Sequence, residues 1–480
     1  MFFDVATKTF KEETVEANKI AFVAADKKVT WSELKNLSAE ICEALEKTNA
    51  PKGSPVLVFG DKEAFFLAAI LVCYQMGLPF VPVSNLLPQK RLEKITEQTK
   101  SAVMIVAGNN IPDLPVPVLV KNDCSVEQKK TPNFSTTINA AYILFTSGSS
   151  GEPKGVVITD ENIGAFTKWF TTKFPVNNRT VFINQANFLF DIALADFFGT
   201  LQIGGTAIFN TNEITSNANL FYERINTYKG TYWNSTPSFI TRYLADKNFN
   251  AENLPGITHF VLSGESLSVA LVKELKSRFP KAVVINAYGP TETTIYASFA
   301  EITDELLMEN TLPISKLANE FVSLDDEEII IAGNGVGAGY LHNEALTRQK
   351  FFLKENKKAY RTGDTTFVKN NYIYYAGRKD EQIKLNGYRI ELNEIKHALE
   401  RIDFIQQAVC LPIVIDGKVK RLLAFVKTNV NINTLKLKKE LEKELPAYMV
   451  PSEIVVLKEF PYTHSFKVDK QKLLNDYLAA

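Results

Sequence analysis

Cysteine is scarce in this 480-residue chain: four residues, Cys42, Cys73, Cys124 and Cys410, with no two of them in a CxxC pair. The scarcity argues against a zinc site and a disulfide framework, and reduced cytoplasmic thiols are expected. Neither sign of charge predominates, because Lys plus Arg and Asp plus Glu each number 54. Without a net field the chain has no long-range attraction for nucleic acid or an anionic membrane, so partners must be sought locally. Long hydrophobic runs are missing too. The longest, residues 64–74, is too short to span a bilayer and reads as a buried helix, so an integral membrane protein is not expected. The start, MFFDVATKTFKEE, has no basic region followed by an apolar core, and a secretory signal is not expected. Internal repeats and low-complexity segments are absent.

The chain is too long for one core, and its 45% apolar content is that of an ordinary soluble protein. Thr30 or Ser32 with Glu33 predicts a helix start, and Leu34, Leu37, Ile41 and Leu45 recur at helical spacing. Strands and helices then alternate. Apolar runs at 55–59, 103–107, 156–160, 181–185, 206–210, 232–236, 259–263 and 283–287 imply parallel sheets covered by helices. Residues 109–137, rich in Pro, Lys and Asn, read as an irregular excursion. After about residue 376 the pattern shifts to that of a small α+β domain of roughly 100 residues. The expected architecture is α/β, a large N-terminal domain over residues 1–376 and a small C-terminal domain over residues 377–480. Near-alternating Lys and Glu at 435–445 mark a solvated helix face.

Three stretches carry chemistry. In YILFTSGSSGEPKGVV, residues 142–157, an apolar strand runs into Thr146, Ser147, Gly148, Ser149, Ser150 and Gly151, small residues whose amides and hydroxyls can wrap an anion, with Lys154 at the far lip. A Walker A loop needs Gly before Lys and Ser or Thr after it, and Pro153 and Gly155 stand there instead. A flexible linker is disfavoured by the two apolar flanks. In VVINAYGPTETTIY, residues 283–296, Asn286 offers an amide and Tyr288 a flat ring, and Gly289 and Pro290 turn the chain so that Thr291 and Glu292 face one point at a strand's carboxyl end. In FLFDIALADFFGTL, residues 188–201, Asp191 lies in an apolar surround, where a carboxylate is costly unless it caps a helix or meets a cation such as a substrate's α-ammonium group.

TSGSSGEPKG, NAYGPTE, YRTGD at 360–364, GRKDEQIKLNGYRIE at 377–391 and FPYTHSFKVDKQKL at 460–473 occur in the order of the signature motifs of the adenylate-forming superfamily: acyl-CoA synthetases, luciferases and peptide-synthetase adenylation enzymes. The chain resembles that family over essentially its whole length. The resemblance implies ATP and Mg²⁺ as cofactors, two domains joined by a hinge, and adenylation of a carboxylate followed by transfer to a thiol. It assigns the nucleotide to Thr146, Ser147, Gly148, Ser149, Ser150, Lys154, Asn286, Ala287, Tyr288, Asp364, Arg378 and Lys467. Thr291 would touch the α-phosphate, Glu292 would hold Mg²⁺, Lys467 would be the catalytic cation, and Asp380 would be the hinge. The loop around Lys384 and Gly387 would face the thiol acceptor. Ser465 and Phe466 replace the Asn-Gly pair usual before the lysine, so the turn presenting Lys467 is expected to differ, because Phe takes a positive φ far less readily than Gly.

Asp191 matches the amine-binding Asp of amino-acid-activating members. Within these, NSTPSF at 234–239, LSGESL at 262–267, PAYMVP at 446–451 and the lack of an attached carrier domain resemble the free-standing D-alanine:D-alanyl carrier protein ligases. The implied substrate pocket is Asp191, Ile192, Ala195, Asn234, Val261, Ser263, Ala287, Ile295 and Tyr296, with Ser263 where those ligases carry Cys. D-alanine is the favoured substrate, with a phosphopantetheinylated carrier protein acting in trans as the acceptor. A small or medium L-amino acid for a peptide-synthetase-type pathway is the nearest alternative. A degenerate module that binds ATP or a carrier without catalysis is a third, opposed by the intact Lys154, Glu292, Asp364 and Arg378.

The resemblance makes Lys467 testable. Lys467→Ala is expected to slow amino-acid-dependent pyrophosphate exchange by about 10²- to 10³-fold, the usual cost of one electrostatic contact to a transition state. Transfer from chemically supplied aminoacyl-adenylate should survive. Unchanged exchange would move the role to another cation, with Lys154 first in line.

Overall fold

The computed structural model describes residues 2–11, 16–121, 126–127, 138–148, 151–415, 418–430, 432–463 and 468–479. The chain divides into two compact units, one of Met1–Ser84, Thr96–Leu144 and Gly155–Lys379, the other of Asn85–Ile95, Phe145–Lys154 and Asp380–Ala480. The first unit holds two eight-stranded sheets and a six-stranded antiparallel sheet.

The first eight-stranded sheet is centred on Val56–Phe59, Phe80–Val83 and Val103–Val106, four-residue apolar strands buried at every position. Continuous apolar runs of this kind are what a parallel sheet covered on both faces requires. The helix Ala64–Met76 is apolar all round, buried throughout 64–74, and ends at Gly77 in the left-handed region. The helix Trp31–Glu46 begins at Thr30, whose side chain and Glu33 form a capping box. The stretch 109–137 is not wholly irregular. Val118–Val120 pairs parallel to Val103–Val106 and extends the sheet, because three successive β-branched or aliphatic residues outweigh the prolines around them.

The second sheet runs in the order Ser298–Glu301, Val283–Tyr288, His259–Leu262, Tyr232–Ser235, Val181–Asn184, Thr206–Phe209, Ile20–Val23, Lys28–Thr30. Its inner strands are parallel, and both edge strands are antiparallel. Register decides what each face carries. Val23, Ile208, Ile183, Trp233, Phe260 and Val284 lie in one cross-strand row and belong to one apolar cluster. One residue further along, the opposite face carries Asn184 and Asn234 side by side, followed by Val261 and Ile285.

The six-stranded sheet, with Glu328–Ala332, Lys357–Lys369 and Tyr372–Arg378 at its centre, was not foreseen from the strand–helix alternation. Several of its strands are only two to five residues long and separated by turns, too short for a periodic signal. The second unit contains the hairpin Gln382–Leu385 and Tyr388–Glu391, the helix Leu392–Glu400, and a sheet of Gln407–Ile415, Lys418–Lys427 and Glu453–Leu457. Its charged helix spans Thr434–Leu441, a turn shorter than predicted. Among the described residues Cys42, Cys73 and Cys410 are free thiols. Among the same residues, no helix is long and apolar enough to cross a membrane.

Trp233 is fully buried at the middle of its row. Trp233→Ala is expected to destabilise the first unit by about 3–5 kcal/mol through the cavity it leaves. Denaturant unfolding checks this; a change below about 1 kcal/mol would refute the cross-strand row as the centre of that core.

Candidate functional site

The strand Val283–Tyr288 delivers its polar end to the sheet's carboxyl edge and turns at once into the short 3₁₀ helix Thr291–Thr293. Gly289 makes the turn possible. A Cβ there would stand 2.5 Å from the Ile295 carbonyl oxygen and 2.7 Å from Tyr296 Cα, so the chain's return crosses directly over the glycine. The Tyr288 hydroxyl donates to Asp364 Oδ2 at 2.5 Å, and Arg378 Nη1 meets Asp364 Oδ1 at 2.7 Å. Register places Arg378 opposite Asp364 on neighbouring strands. Burial, and then the Asp364 carboxylate, push the Tyr288 phenol well above its usual range. Tyr288, Asp364 and Arg378 thus form one cluster. Asp364 is a nearly buried acceptor whose present donors, a phenol and a guanidinium, are of the kind a vicinal diol can supplement. Asn286 gives an amide proton to the Pro313 carbonyl at 2.8 Å, which orients its side chain, and Ala287 is buried beside it.

Glu292 is fully buried and accepts a hydrogen bond from the Tyr340 hydroxyl at 2.8 Å. Thr291, partly exposed, opens the same turn. Among the described residues no three His, Cys, Asp or Glu groups gather as a metal cluster. One carboxylate with hard oxygen donors still suits Mg²⁺, which keeps several waters and is held by one or two carboxylates together with substrate phosphates.

The predicted substrate pocket lies along the same sheet. Asp191 occupies the N-cap position of the helix Ile192–Ile203 but makes no capping hydrogen bond. Ile192, Ala195, Asn234, Val261, Ser263, Ala287, Ile295 and Tyr296 are all buried. The Tyr296 hydroxyl donates to Asn234 Oδ1 at 2.8 Å. Burial raises that phenol's pKa, with Ser263, Asp196, Asn234 and Asp191 all close enough to act on it.

Two ionisable neighbours of the pocket escaped the sequence reading. Asp196 is buried on the helix Ile192–Ile203; its Oδ2 accepts from Asn184 Nδ2 at 2.9 Å and its Oδ1 from Asn234 Nδ2 at 3.0 Å. Burial pushes its pKa up to about 7, against the pull of the two amide donors and of Lys62. Lys62 is itself buried, donates to the Asn210 carbonyl at 2.5 Å, and is drawn down to about 8 by burial. The signal for Asp196 was present in FDIALAD, a second acid five residues after Asp191 in an apolar run. Lys62 gives no such signal, because a lysine after a strand ordinarily lies in solvent.

In the second unit Ser147, Gly148 and Lys154 of the predicted phosphate loop are engaged with carboxylates and backbone groups. Ser147 Oγ donates to the Arg389 carbonyl and accepts from the Glu391 amide, the Gly148 amide donates to Glu394 Oε2 at 3.1 Å, and Lys154 Nζ is 4.0 Å from Glu391 Oε1. Glu394 also pairs with Arg91. Thr146 closes the preceding strand, Tyr142–Thr146. Ser149, Ser150, Ser465, Phe466 and Lys467 lie outside the described residues. Asp380 is the first residue of the unit's long C-terminal segment and accepts from the Gln382 amide at 3.3 Å, and Lys384 and Gly387 belong to the hairpin after it. Immediately before Asp380, Lys379 is fixed in the first unit: its amide donates to the Gly363 carbonyl at 2.9 Å and its ammonium to Glu328 Oε2 at 3.1 Å.

Residues 10–341 match the AMP-binding enzyme family, and residues 394–467 match the AMP-binding enzyme C-terminal domain. The D-alanine–D-alanyl carrier protein ligase of Bacillus licheniformis is 34% identical, with 96% of this chain and 97% of that protein covered. The protein of the same name from Bacillus velezensis is also 34% identical, over 98% and 99% of the two chains. Among solved structures, the Vibrio cholerae adenylation domain AlmE in complex with glycyl-adenosine-5'-phosphate matches with a TM-score of 0.82 at 19% identity, covering 98% and 99%. The amide bond synthetase McbA from Marinactinospora thermotolerans matches with a TM-score of 0.81 at 17% identity, covering 96% and 97%. At these identities the two structures attest the fold.

Gly289→Ala is expected to destabilise the first unit by about 2 kcal/mol, since backbone atoms rather than flexible side chains must yield to the new methyl. Gly164 provides the control. It lies inside the helix Asp160–Lys173 with nothing within 4 Å of an added Cβ, and Gly164→Ala is expected to stabilise by up to about 1 kcal/mol. Thermal unfolding compares them; effects of the same sign would contradict the crossing over Gly289.

Proposed function

The chain belongs to the AMP-binding enzyme family, and from that premise we propose that it activates D-alanine with ATP and passes it to the phosphopantetheine thiol of a separate carrier protein. The observation that carries this reading is the near end-to-end match to proteins named D-alanine–D-alanyl carrier protein ligase at 32–34% identity. In the first half-reaction a carboxylate oxygen of the amino acid bonds to the α-phosphorus and pyrophosphate leaves. In the second the thiol sulfur bonds to the acyl carbon, its proton is lost, and AMP leaves.

Roles follow from chemistry. Asp191 answers the α-ammonium group, and the buried residues from Ile192 to Tyr296 enclose the side chain. Asp364 and Arg378 hold the ribose hydroxyls, Tyr288 packs on the base beside Asn286 and Ala287, and Thr291 approaches the α-phosphate. Thr146, Ser147, Gly148, Ser149, Ser150 and Lys154 receive the departing phosphates. Glu292 is the residue to hold Mg²⁺, which when bound neutralises charge on the phosphates. Lys467 neutralises charge developing at the reacting carboxylate. Residues 1–376 then hold both substrates, while residues 377–480 turn about Asp380 between the half-reactions. A reaction that consumes ATP, in a chain whose described cysteines are free thiols, is assigned to the cytoplasm. Ser263 favours one competing reading, activation of a small or medium L-amino acid, because the D-alanine ligases carry Cys at that place.

Pyrophosphate exchange over a panel of D- and L-amino acids tests the assignment, with D-alanine expected to give the fastest exchange. Exchange with fatty or aryl acids but no amino acid would overturn it. Asp380→Pro is expected to leave exchange largely intact and to stop transfer to the carrier, since Pro cannot follow the φ change of a hinge. Equal loss of both steps would rule out alternation about this residue.

A further inference from the structure

We propose that Asp196 is a positioning residue that fixes the far wall of the substrate pocket through Asn234 and Tyr296, and so limits the length of the side chain the enzyme accepts. The inference rests on the proposed activation of an amino acid and goes beyond it to a residue outside the pocket.

The argument is one of hydrogen-bond polarity. A side-chain amide can be turned either way, and at its middle position in this chain Asn234 has a partner at each end. Asp196 accepts an amide proton at both of its oxygens, one from Asn184 and one from Asn234. The NH₂ of Asn234 must therefore face Asp196 and its oxygen must face away. That oxygen accepts from Tyr296, so the phenol is obliged to donate along one direction. The sheet register, which sets Asn184 and Asn234 directly opposite one another, lets a single carboxylate grip both. Gln185 adds a second hold by donating to the Asn234 carbonyl.

Tyr296 needs such a hold, because the backbone delivering it is strained. Thr294 and Ile295 have φ of 61° and 70°, and both are β-branched residues for which the left-handed region is unfavourable. The Tyr296 amide donates to the Thr294 carbonyl at 2.9 Å, closing a three-residue turn around Ile295 of the rare positive-φ kind. Strain of this sort persists only where the surroundings over-determine it. Here Thr294 Oγ1 donates to the Gly335 carbonyl at 2.7 Å, Phe166 and Phe174 lie against the Tyr296 ring, and the hydroxyl is tied to Asn234. Tyr296 and Asn234 are both buried and joined by this hydrogen bond, so the ring is the wall that a longer side chain entering the assigned pocket would meet.

Asp196→Asn tests the relay, because it preserves shape while placing a donor against one of the two amide donors. Pyrophosphate exchange is measured with alanine, 2-aminobutyrate and norvaline of the chirality the parent prefers. The variant is expected to raise KM for alanine and to lower the preference for alanine over norvaline about tenfold, as one misdirected buried hydrogen bond would do, with KM for ATP unchanged. Tyr296→Phe, which deletes only the hydroxyl at the end of the relay, is expected to shift the same ratio in the same direction. The double variant should do no more than Asp196→Asn alone. If Asp196→Asn fails to fold, the Tyr296→Phe ratio decides: an unchanged ratio overturns the proposal. A uniform loss for all amino acids, an altered KM for ATP, or additive effects in the double variant also overturn it. A parent that prefers norvaline overturns the D-alanine assignment, while the direction of the ratio still judges the relay. A parent that exchanges with no amino acid overturns both.

Discussion

A strand buried on both faces can carry polar groups only where it leaves the sheet, and the first unit is arranged around that restriction. In the second eight-stranded sheet the inner strands run parallel, so their polar ends collect along one edge: Asn184, Asn234, Ser263 and Asn286 through to Tyr288. Nothing else in the sheet could host them at comparable cost, because Ile183, Trp233, Phe260 and Val284 fill the row just behind. The site's position is therefore a consequence of strand direction, before any particular chemistry is considered.

Two carboxylates at this edge are managed in different ways. Asp364 is met by a guanidinium and a phenol, partners that keep a buried charge tolerable. Asp196 lies deeper, is met by two neutral amides with Lys62 nearby, and has its pKa pushed up to about 7. The first arrangement suits a group that must exchange partners with a ligand. The second suits a group whose partners never change and whose value lies in fixing their direction.

Much of this was legible in the sequence because the chemistry-bearing stretches are contiguous. NAYGPTE, TSGSSGEPKG and YRTGD each declare their residues locally, and the apolar four-residue runs announced the parallel strands. What escaped was set by contacts distant in sequence. The antiparallel sheet holding Asp364 opposite Arg378 includes several strands too short to show a period, and the 109–137 stretch hid a paired strand, Val118–Val120, among its prolines. Asp196 was passed over because its importance depends on Asn184 and Asn234, 12 and 38 residues away, being neighbours in register. The positive φ at Thr294 and Ile295 contradicts local preference, and local preference was the only guide a sequence could offer there.

The crossing of Ile295–Ala297 over Gly289 has a further consequence. The turn after Tyr288 and the turn before Tyr296 touch backbone to backbone with no side chain between them to absorb a displacement. One belongs to the proposed nucleotide site and the other to the proposed amino-acid site, so each ligand settles against a surface the other helps to shape. Thermodynamic linkage then makes the effect reciprocal: whatever occupancy by ATP adds to the affinity for the amino acid, the amino acid returns to ATP by the same factor. Any coupling carried by this contact is therefore a single quantity, the same in sign and size whichever ligand binds first.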